Sequence, residues 1–475
     1  MGVQENKIEH TNIRIVLVLY IIVGLFWLVL VPPFEKPDEI HHFAYIQFIE
    51  RQNRLPHQIL DDDIILQFES HQPPLYYIID AVAYRIFLRI GLAKTSLNNW
   101  IPKINHSFMK DGTRENNIFF FHSENIFSPD SDYPYDVAFI RLLSLFWGGI
   151  AIFFIYKTSL IVFHDNSWLA ILSASLVAFL PQFLFITSSI NNDNLVIAIS
   201  SICIYYFTKL ISENNNVKII NFYILGGLLG IGLISKLPIL SLLPLTLLFF
   251  AFPKSKPLLE RLKYLTAIII GIITISCWWF IRNLLLYEEI LGNHWAVNPN
   301  NFNRMVLQRT LFSDYFFSIK SDFWKYVGET FVGRFGFMHI PLPSIIYRFY
   351  SLILLVSTIG VLYYIIQKTN TFVKKKYILF FSLAVILALC QLIYLNLTIA
   401  SPQGRFLFHV LPAFSILCVI GFLGFFLLFR GRKLLADFSP PKVSVSLKVI
   451  TISTLILLVV FNIYIFMDII IPLYY

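Results

Sequence analysis

Eleven apolar runs divide this chain, at 13–32, 137–163, 167–188, 194–212, 218–235, 237–252, 264–286, 345–367, 377–398, 406–429 and 449–471. Each approaches the roughly 20 residues that an α-helix needs to cross the hydrocarbon core of a bilayer. Lipid offers no hydrogen bonds, so every run must satisfy its backbone N–H and C=O groups internally, and a chain built this way is an all-α polytopic membrane protein. With 57% of its 475 residues hydrophobic and only 14% charged, the soluble domains suggested by length alone are excluded. The first run ends in Pro-Pro-Phe-Glu rather than at a small-residue cleavage site, so it is expected to stay as an anchor. Cys203, Cys277, Cys390 and Cys418 are scattered through separate apolar runs, which indicates buried packing residues and neither a disulfide framework nor a zinc site.

A net charge of +9 raises the question of nucleic acid, but the basic residues collect in short loops between apolar runs. There they read as orientation signals beside anionic headgroups, and no nucleic-acid partner is expected. With a cytoplasmic N-terminus and eleven spans, three basic loops fall on the cytoplasmic side. They carry Lys254, Lys256, Arg261 and Lys263, then Lys368, Lys374, Lys375 and Lys376, then Arg430, Arg432, Lys433 and Lys442. This requires 73–90, PPLYYIIDAVAYRIFLRI, to lie in the outer interface as an amphipathic helix. Its Asp80, Arg85 and Arg89 would each cost about 2.5–3.5 kcal/mol at the bilayer centre. A twelve-span chain with its N-terminus outside serves everything after residue 137 almost as well. In the eleven-span arrangement 33–136, 287–344 and the turn 399–405 face outward, and 1–475 is a single membrane domain with these loops folded onto it.

Candidate chemistry gathers on that outer side. KPDE at 36–39 reads as a helix start, with Pro37 suited to a first helical position and Asp38 and Glu39 complementing the helix dipole. Ile40, Phe43, Ala44, Phe48 and Ile49 continue it as an interfacial helix. Asp38 precedes His41 and His42 on it by three and four residues, and Glu39 precedes His42 by three, so carboxylates and imidazoles share a polar face. Such a face supplies either a base with an orienting partner or half of a divalent-metal site, for which no further ligand is identifiable.

Five more polar clusters map to outer ends of different runs: Arg141 in FIRLLSLFW, Asn191-Asn192-Asp193, Lys236 before Pro238, Arg282-Asn283, and Gln403-Gly404-Arg405. A single residue of this kind reads as snorkelling. Five at one level point to pairing or binding, because ionisable groups at membrane depth are costly when alone. A guanidinium fork suits the phosphate of an anionic headgroup. Arg405, after a glycine that lets a ligand approach the backbone, is the first candidate for that role and Lys236 the second. HQPPLYY and GRFGFMHIPLP, beside His71, Gln72 and Arg334, read as turns and loop packing.

No Walker loop, dinucleotide fingerprint or HExxH is present, so ATP, NAD and catalytic zinc have no evident place. Asp62 and Asp63 in ILDDDIIL read as a solvated loop. An alternative of another class, a transporter or flippase for a lipid-linked or amphiphilic substrate, would call for internal repeats and charges along both access routes.

An acidic pair after the first span, PPLYY at the head of an interfacial helix, RLLS opening a span, the NND turn, the Lys-Pro turn, RN with a following glycine, and a late QGRF occur in an order that resembles the GT-C membrane glycosyltransferases. These include the protein O-mannosyltransferases and the bacterial aminoarabinose transferases, and the likeness is nearest an uncharacterised bacterial branch beside them. The resemblance implies a GT-C-like bundle of about 11 transmembrane helices with interfacial helices in the first outer loop, in the bacterial inner membrane. It also implies transfer of a hexosyl or pentosyl group, with inversion, from a polyprenyl-phosphate sugar to a glycan, lipid or protein acceptor at the extracytoplasmic face. No cofactor is required by it, and a divalent metal is left open. Carried over by position, Asp38 matches the acidic residue that acts as base or orients the acceptor, with Glu39 beside it. Arg405 matches the late arginine that holds the lipid phosphate, and Lys236 and Arg282 correspond approximately. His42, Gln72, Asn192, Asp193, Arg141 and Gln403 are the remaining expected substrate contacts. The chain departs from better-known members in lacking a large C-terminal soluble domain and in carrying Phe406 where relatives have tyrosine, which leaves acceptor choice open.

Overall fold

Every one of the eleven apolar runs is helical. Among the described residues, eight helices are long and apolar enough to cross a membrane: Ile13–Leu30, Tyr135–Val162, Asp193–Ser212, Leu258–Tyr287, Ser344–Ile366, Lys375–Thr398, Gly404–Leu428 and Val445–Tyr474. The computed structural model describes residues 2–58, 61, 64–92, 103–104, 120–121, 135–213, 217–251, 256–292, 313–318, 321–367, 373–399, 401–430 and 445–474. Asp62, Asp63, Lys254, Lys368, Arg432, Lys433 and Lys442 lie outside these described residues.

A ninth crossing is a bent pair, Ser167–Ala178 and Pro181–Thr187, turned by 67°. Pro181 has no N–H to continue the first helix and instead opens the second, with Leu180 extended before it. The last two runs are the shorter helices Ile219–Leu233 and Leu237–Leu247. The second is wound as a 3-10 helix with Pro238 near its start and Pro244 inside. A 15-residue α-helix rises only about 22 Å, which explains why these two runs fall short of a full span.

The segment at 73–90 forms the helix Leu75–Arg89, which is not among the candidate spans. It packs on Glu39–Gln52 and Tyr135–Val162, burying Tyr76, Tyr77, Asp80, Ala81 and Tyr84. The charges do not all suit a wet face as expected. Arg85 bonds Asn53 Oδ1 at 2.7 Å, but Asp80 is fully enclosed.

Successive spans run in opposite directions, so the polar turns near 32–39, 136–141, 188–193, 235–238 and 396–405 collect at one end. The other end is basic. There Lys376 donates to Ile211 O at 2.6 Å, Lys375 to Ile365 O at 2.7 Å, and Lys448 lies over the Trp168 ring. Around the bundle a belt of large apolar side chains is exposed, including Ile15, Phe146, Ile273, Leu355 and Val460, as a lipid-facing surface requires. Cys203 and Cys418 are buried as expected, whereas Cys390 is exposed among these apolar surfaces; none of the four is bridged.

Helix pairs in the bundle approach closely enough to exclude a side chain. A Cβ at Gly226 would collide with the Ile268 backbone, and one at Gly421 with Ser357. Small residues at such crossings let helix backbones touch where no hydrophobic force drives them together. Ahead of Ser344–Ile366 the amphipathic helix Phe323–Val332 is followed by a hairpin pairing Arg334–Phe335 with Ile340–Pro341. Gly336 and Met338 turn it with positive φ, so GRFGFMHIPLP is a turn, as its composition suggests.

Gly421→Leu is expected to lower the thermal midpoint by several degrees or abolish folded yield, while Gly149→Ala, which meets nothing nearer than 4.0 Å, should change little. Size-exclusion profiles and melting of the purified protein check this.

Candidate functional site

The polar end is organised by one buried ion pair. Arg141 donates from Nε to Glu39 Oε1 at 2.8 Å and from Nη2 to Glu39 Oε2 at 2.6 Å, with both side chains 0% exposed. Its remaining donors reach Leu28 O, Val31 O and Pro32 O at 2.8, 2.8 and 3.0 Å. The guanidinium therefore caps the C-terminal carbonyls of the first span, which have no helical partners of their own. Glu39 accepts two more bonds, from Phe34 N and Ile190 N, both at 2.9 Å. Burial raises the Glu39 carboxyl, and Arg141 more than reverses this to leave it below its ordinary value. Beside the pair, buried Lys36 donates to Ser188 Oγ at 2.8 Å, to Ser188 O and to Trp27 O at 3.3 Å. Burial, then the neighbouring Arg141, pushes its ammonium well below the usual range.

Glu39 and Arg141 face each other, the first span and the 188–191 turn, and so tie these parts of the scaffold together.

Asp38 has the opposite fate. It stands just before the Glu39–Gln52 helix in the left-handed conformation, φ 62°, and makes no cap bond. The helix thus begins at Glu39 rather than at Pro37. Aspartate tolerates this conformation better than most residues, and here it turns the carboxylate outward. Its Oδ2 accepts from Arg405 Nη2 at 2.7 Å; the Asp38 side chain is 31% exposed and that of Arg405 only 4%. Burial raises the Asp38 carboxyl, but the adjoining Arg405 guanidinium outweighs this and leaves it below its ordinary value.

Arg405 extends the contact inward. Its Nε donates to Gln403 Oε1 at 2.6 Å, and its Nη1 lies 3.9 Å from Asp193 Oδ2. Asp193 Oδ1 in turn meets Lys236 Nζ at 2.6 Å. Four charges from four separate sequence regions so form an alternating row: Asp38, Arg405, Asp193, Lys236. Gly404 serves helix packing here, since a Cβ would strike the backbone of Val327 and Phe331. The closeness expected of a ligand belongs to that helix, and Gly404 N is anchored on Thr330 Oγ1 at 2.7 Å.

Other expected contacts line the same row. Asn192 Nδ2 donates to Gln72 Oε1 at 3.3 Å. His42 Nδ1 lies 2.8 Å from Tyr77 Oη. Burial, then the positive charge of Lys236, pushes His42 well below its usual range, so the ring is neutral at physiological pH. Neither histidine orients Asp38 through a hydrogen bond; His41 Nδ1 is 2.8 Å from Ile65 O. Arg282 is not brought to the row. It donates to Pro56 O at 2.8 Å and stacks near Trp279 and Tyr287, which is a loop-holding role.

Four buried atoms of the cluster have no hydrogen-bond partner: Arg405 Nη1, Asp193 Oδ2, Asn191 Nδ2 and Asn192 Oδ1. Unsatisfied buried polar groups are costly, and a set converging from two segments can be satisfied together by one polar ligand. No group of three or more His, Cys, Asp or Glu suited to a metal occurs among the described residues. The cluster's carboxylates are committed to Arg405 and Lys236, a poor donor set for a divalent ion.

Sequence reasoning missed Lys36, Tyr76 and Asp80. Tyr76 Oη accepts from Asn191 N at 3.0 Å and lies 3.1 Å from Ser144 Oγ, bracing the NND turn. The PPLYY string was the available signal for it. Asp80 sits one helical turn on, with neither carboxyl oxygen in a well-formed hydrogen bond. Burial pushes its carboxyl up to about 8, against a smaller lowering by Tyr76.

Residues 136–280 match the family described as dolichyl-phosphate-mannose-protein mannosyltransferase. That match covers less than half of the chain, and the polytopic helical fold as a whole is similar to a solved membrane-protein structure. Among solved structures, the chain is similar to the crystal structure of ArnT from Cupriavidus metallidurans bound to undecaprenyl phosphate, with a TM-score of 0.50 and 11% identity over 97% of this chain and 73% of that one. The apo crystal structure of the same ArnT aligns over 86% of this chain and 75% of that one, with 12% identity and a TM-score of 0.38. No curated protein matches the sequence.

Two outcomes follow for stability. Glu39→Gln leaves the buried Arg141 charge uncompensated and should cost about 3–5 kcal/mol, read as loss of folded protein or a strongly lowered melting midpoint. Asp80 has a folded-state value of about 8 against an ordinary 3.8, so the folded state holds its proton where the unfolded chain has released it. Stability from this group is full below the ordinary value and falls as pH rises through the interval up to about 8. Asp80→Asn should therefore raise the melting midpoint more at pH 8 than at pH 5.

Proposed function

We propose that this protein transfers a sugar from a polyprenyl-phosphate donor to an acceptor hydroxyl at the extracytoplasmic face, with inversion at the anomeric carbon. The row Asp38, Arg405, Asp193, Lys236, in which Arg405 Nη1 makes no hydrogen bond, carries this proposal. The undecaprenyl phosphate bound to the structurally similar ArnT supports a lipid-phosphate donor.

Each group has a task that its placement suits. Arg405 and Lys236 receive the donor phosphate, the guanidinium through its open Nη1 edge. Asp38 Oδ2 is held by Arg405 while Oδ1 makes no hydrogen bond and sits on the exposed side, where a hydrophilic acceptor arrives. The acceptor oxygen attacks the anomeric carbon from the face opposite the phosphate. As the new C–O bond forms, the bond to the phosphate oxygen breaks and polyprenyl phosphate leaves with the electron pair. Asp38 takes the acceptor proton, and Arg405 and Lys236 offset the charge gained by the leaving phosphate. Because that leaving group already carries phosphate, no nucleotide is called for. Asn192, Asp193, Gln72, Gln403 and His42 are placed to contact the sugar and phosphate.

Sidedness rests on charge. Lys209, Lys218, Lys256, Arg261, Lys374, Lys375, Lys376 and Lys448 belong to the end of the bundle away from the row, and basic loops face the cytoplasm. The row then faces outward, with a lipid donor resting in the leaflet beside it. Confinement of the row of paired acids and cations to one end also fits transfer better than transport, which needs access from both sides.

Asp38→Asn, tested in membranes with a labelled polyprenyl-phosphate sugar, should slow transfer by about 10²–10⁴. Arg405→Ala should slow it by about 10²–10³ and raise the donor KM. Near wild-type transfer by Asp38→Asn would remove Asp38 from the role of base.

A further inference from the structure

The carboxylate assigned as base lies across the guanidinium assigned to the phosphate. Asp38 is the more exposed partner, at 31%, and Arg405 the enclosed one, at 4%. An anion reaching Arg405 from outside therefore meets Asp38 first.

The guanidinium has limited capacity. Nε is taken by Gln403 at 2.6 Å and Nη2 by Asp38 at 2.7 Å, while Nη1 makes no hydrogen bond and faces Asp193 Oδ2 at 3.9 Å. Bidentate phosphate binding uses two parallel N–H bonds from one edge of the fork. The edge that leaves Gln403 in place is Nη1 with Nη2, and Nη2 carries Asp38. Two anions on the same edge also repel each other at hydrogen-bonding distance.

We propose that the donor phosphate and the Asp38 carboxylate compete for Arg405, so that donor binding itself frees the base. This rests on the assignment of Arg405 to the donor phosphate. Before the donor arrives, Asp38 is held in an ion pair and is a weak base. Once phosphate takes the guanidinium edge, the compensating charge is shared with the phosphate and the carboxylate recovers its basicity beside the acceptor. Donor binding then precedes productive acceptor binding. The other charged or titratable groups facing Asp38 are His41 and Lys236, while Asp193 and Glu69 face Arg405. Lys236 is engaged by Asp193 at 2.6 Å, so it does not replace Arg405 as the partner of Asp38.

The test is equilibrium binding of undecaprenyl phosphate, carrying no sugar, to the full chain in nanodiscs. Removing the competing carboxylate should tighten binding: Asp38→Asn and Asp38→Ala should each lower Kd about tenfold, equivalent to about 1.4 kcal/mol, although both transfer sugar far more slowly. Asp38→Glu, which keeps the competing charge, should stay near the wild-type value, and Arg405→Ala should bind weakly. A gain of affinity in an inactive variant cannot come from misfolding. If wild type binds the lipid and both neutral variants bind it equally or less tightly, competition is overturned while the phosphate assignment stands. If wild type fails to bind it, the phosphate assignment falls and this proposal with it.

Discussion

Everything at the polar end depends on Glu39 meeting Arg141. A membrane helix ends with carbonyls that lipid cannot satisfy, and Arg141 meets those of the first span at Leu28, Val31 and Pro32. Its charge is tolerable at zero exposure only because Glu39 lies against it. Glu39 then ties down the turn at Phe34 and the one at Ile190. One pair thus joins the end of the first span, the start of the second and the turn leading into Asp193–Ser212.

This frame explains why neighbouring acids play different parts. Glu39 is the first residue of a helix whose inner face is buried, and it points into the protein. Asp38, one residue earlier and in left-handed backbone, points to the rim. Asp193 and Arg405 reach the same rim from the starts of two other apolar helical segments, and Lys236 reaches it from the turn between two short ones. The row of charges is neutral as a whole, so it can exist beside lipid, yet it keeps polar atoms available for a ligand. A membrane site benefits from that balance, because an isolated cation near the hydrocarbon would be costly without its ligand.

Much of this was legible beforehand where a local rule applied. Span positions follow from runs of apolar residues, and the helix at 73–90 was read as lying off the spans because its charges are too costly to immerse, whereas the bend at Pro181 within the run 167–188 was not read. Even the convergence of Asp38, Asp193, Lys236 and Arg405 was visible as a shared level in the bilayer, since alternating spans assign each turn to an end. Local rules failed where partners were distant. Glu39 and Asp38 have the same chemistry and adjacent positions, and Arg141 and Arg405 each open an apolar helical segment. No spacing reveals that Arg141 pairs with the first acid to be buried and Arg405 with the one left open. Likewise Gly404, next to a candidate ligand group, turned out to make room for Val327 and Phe331. Arg282 shares its level with the row but is drawn aside to Pro56.

The sequence by itself determined that this chain is a helical membrane protein and at which end its polar turns lie. Hydrophobic run length and backbone hydrogen bonding in lipid are properties of contiguous residues. Only the tertiary structure decided which of those polar residues support the scaffold and which remain available for chemistry. That depends on burial and on partners more than a hundred residues away, and the strength of a charged contact is governed by the surroundings into which packing places it.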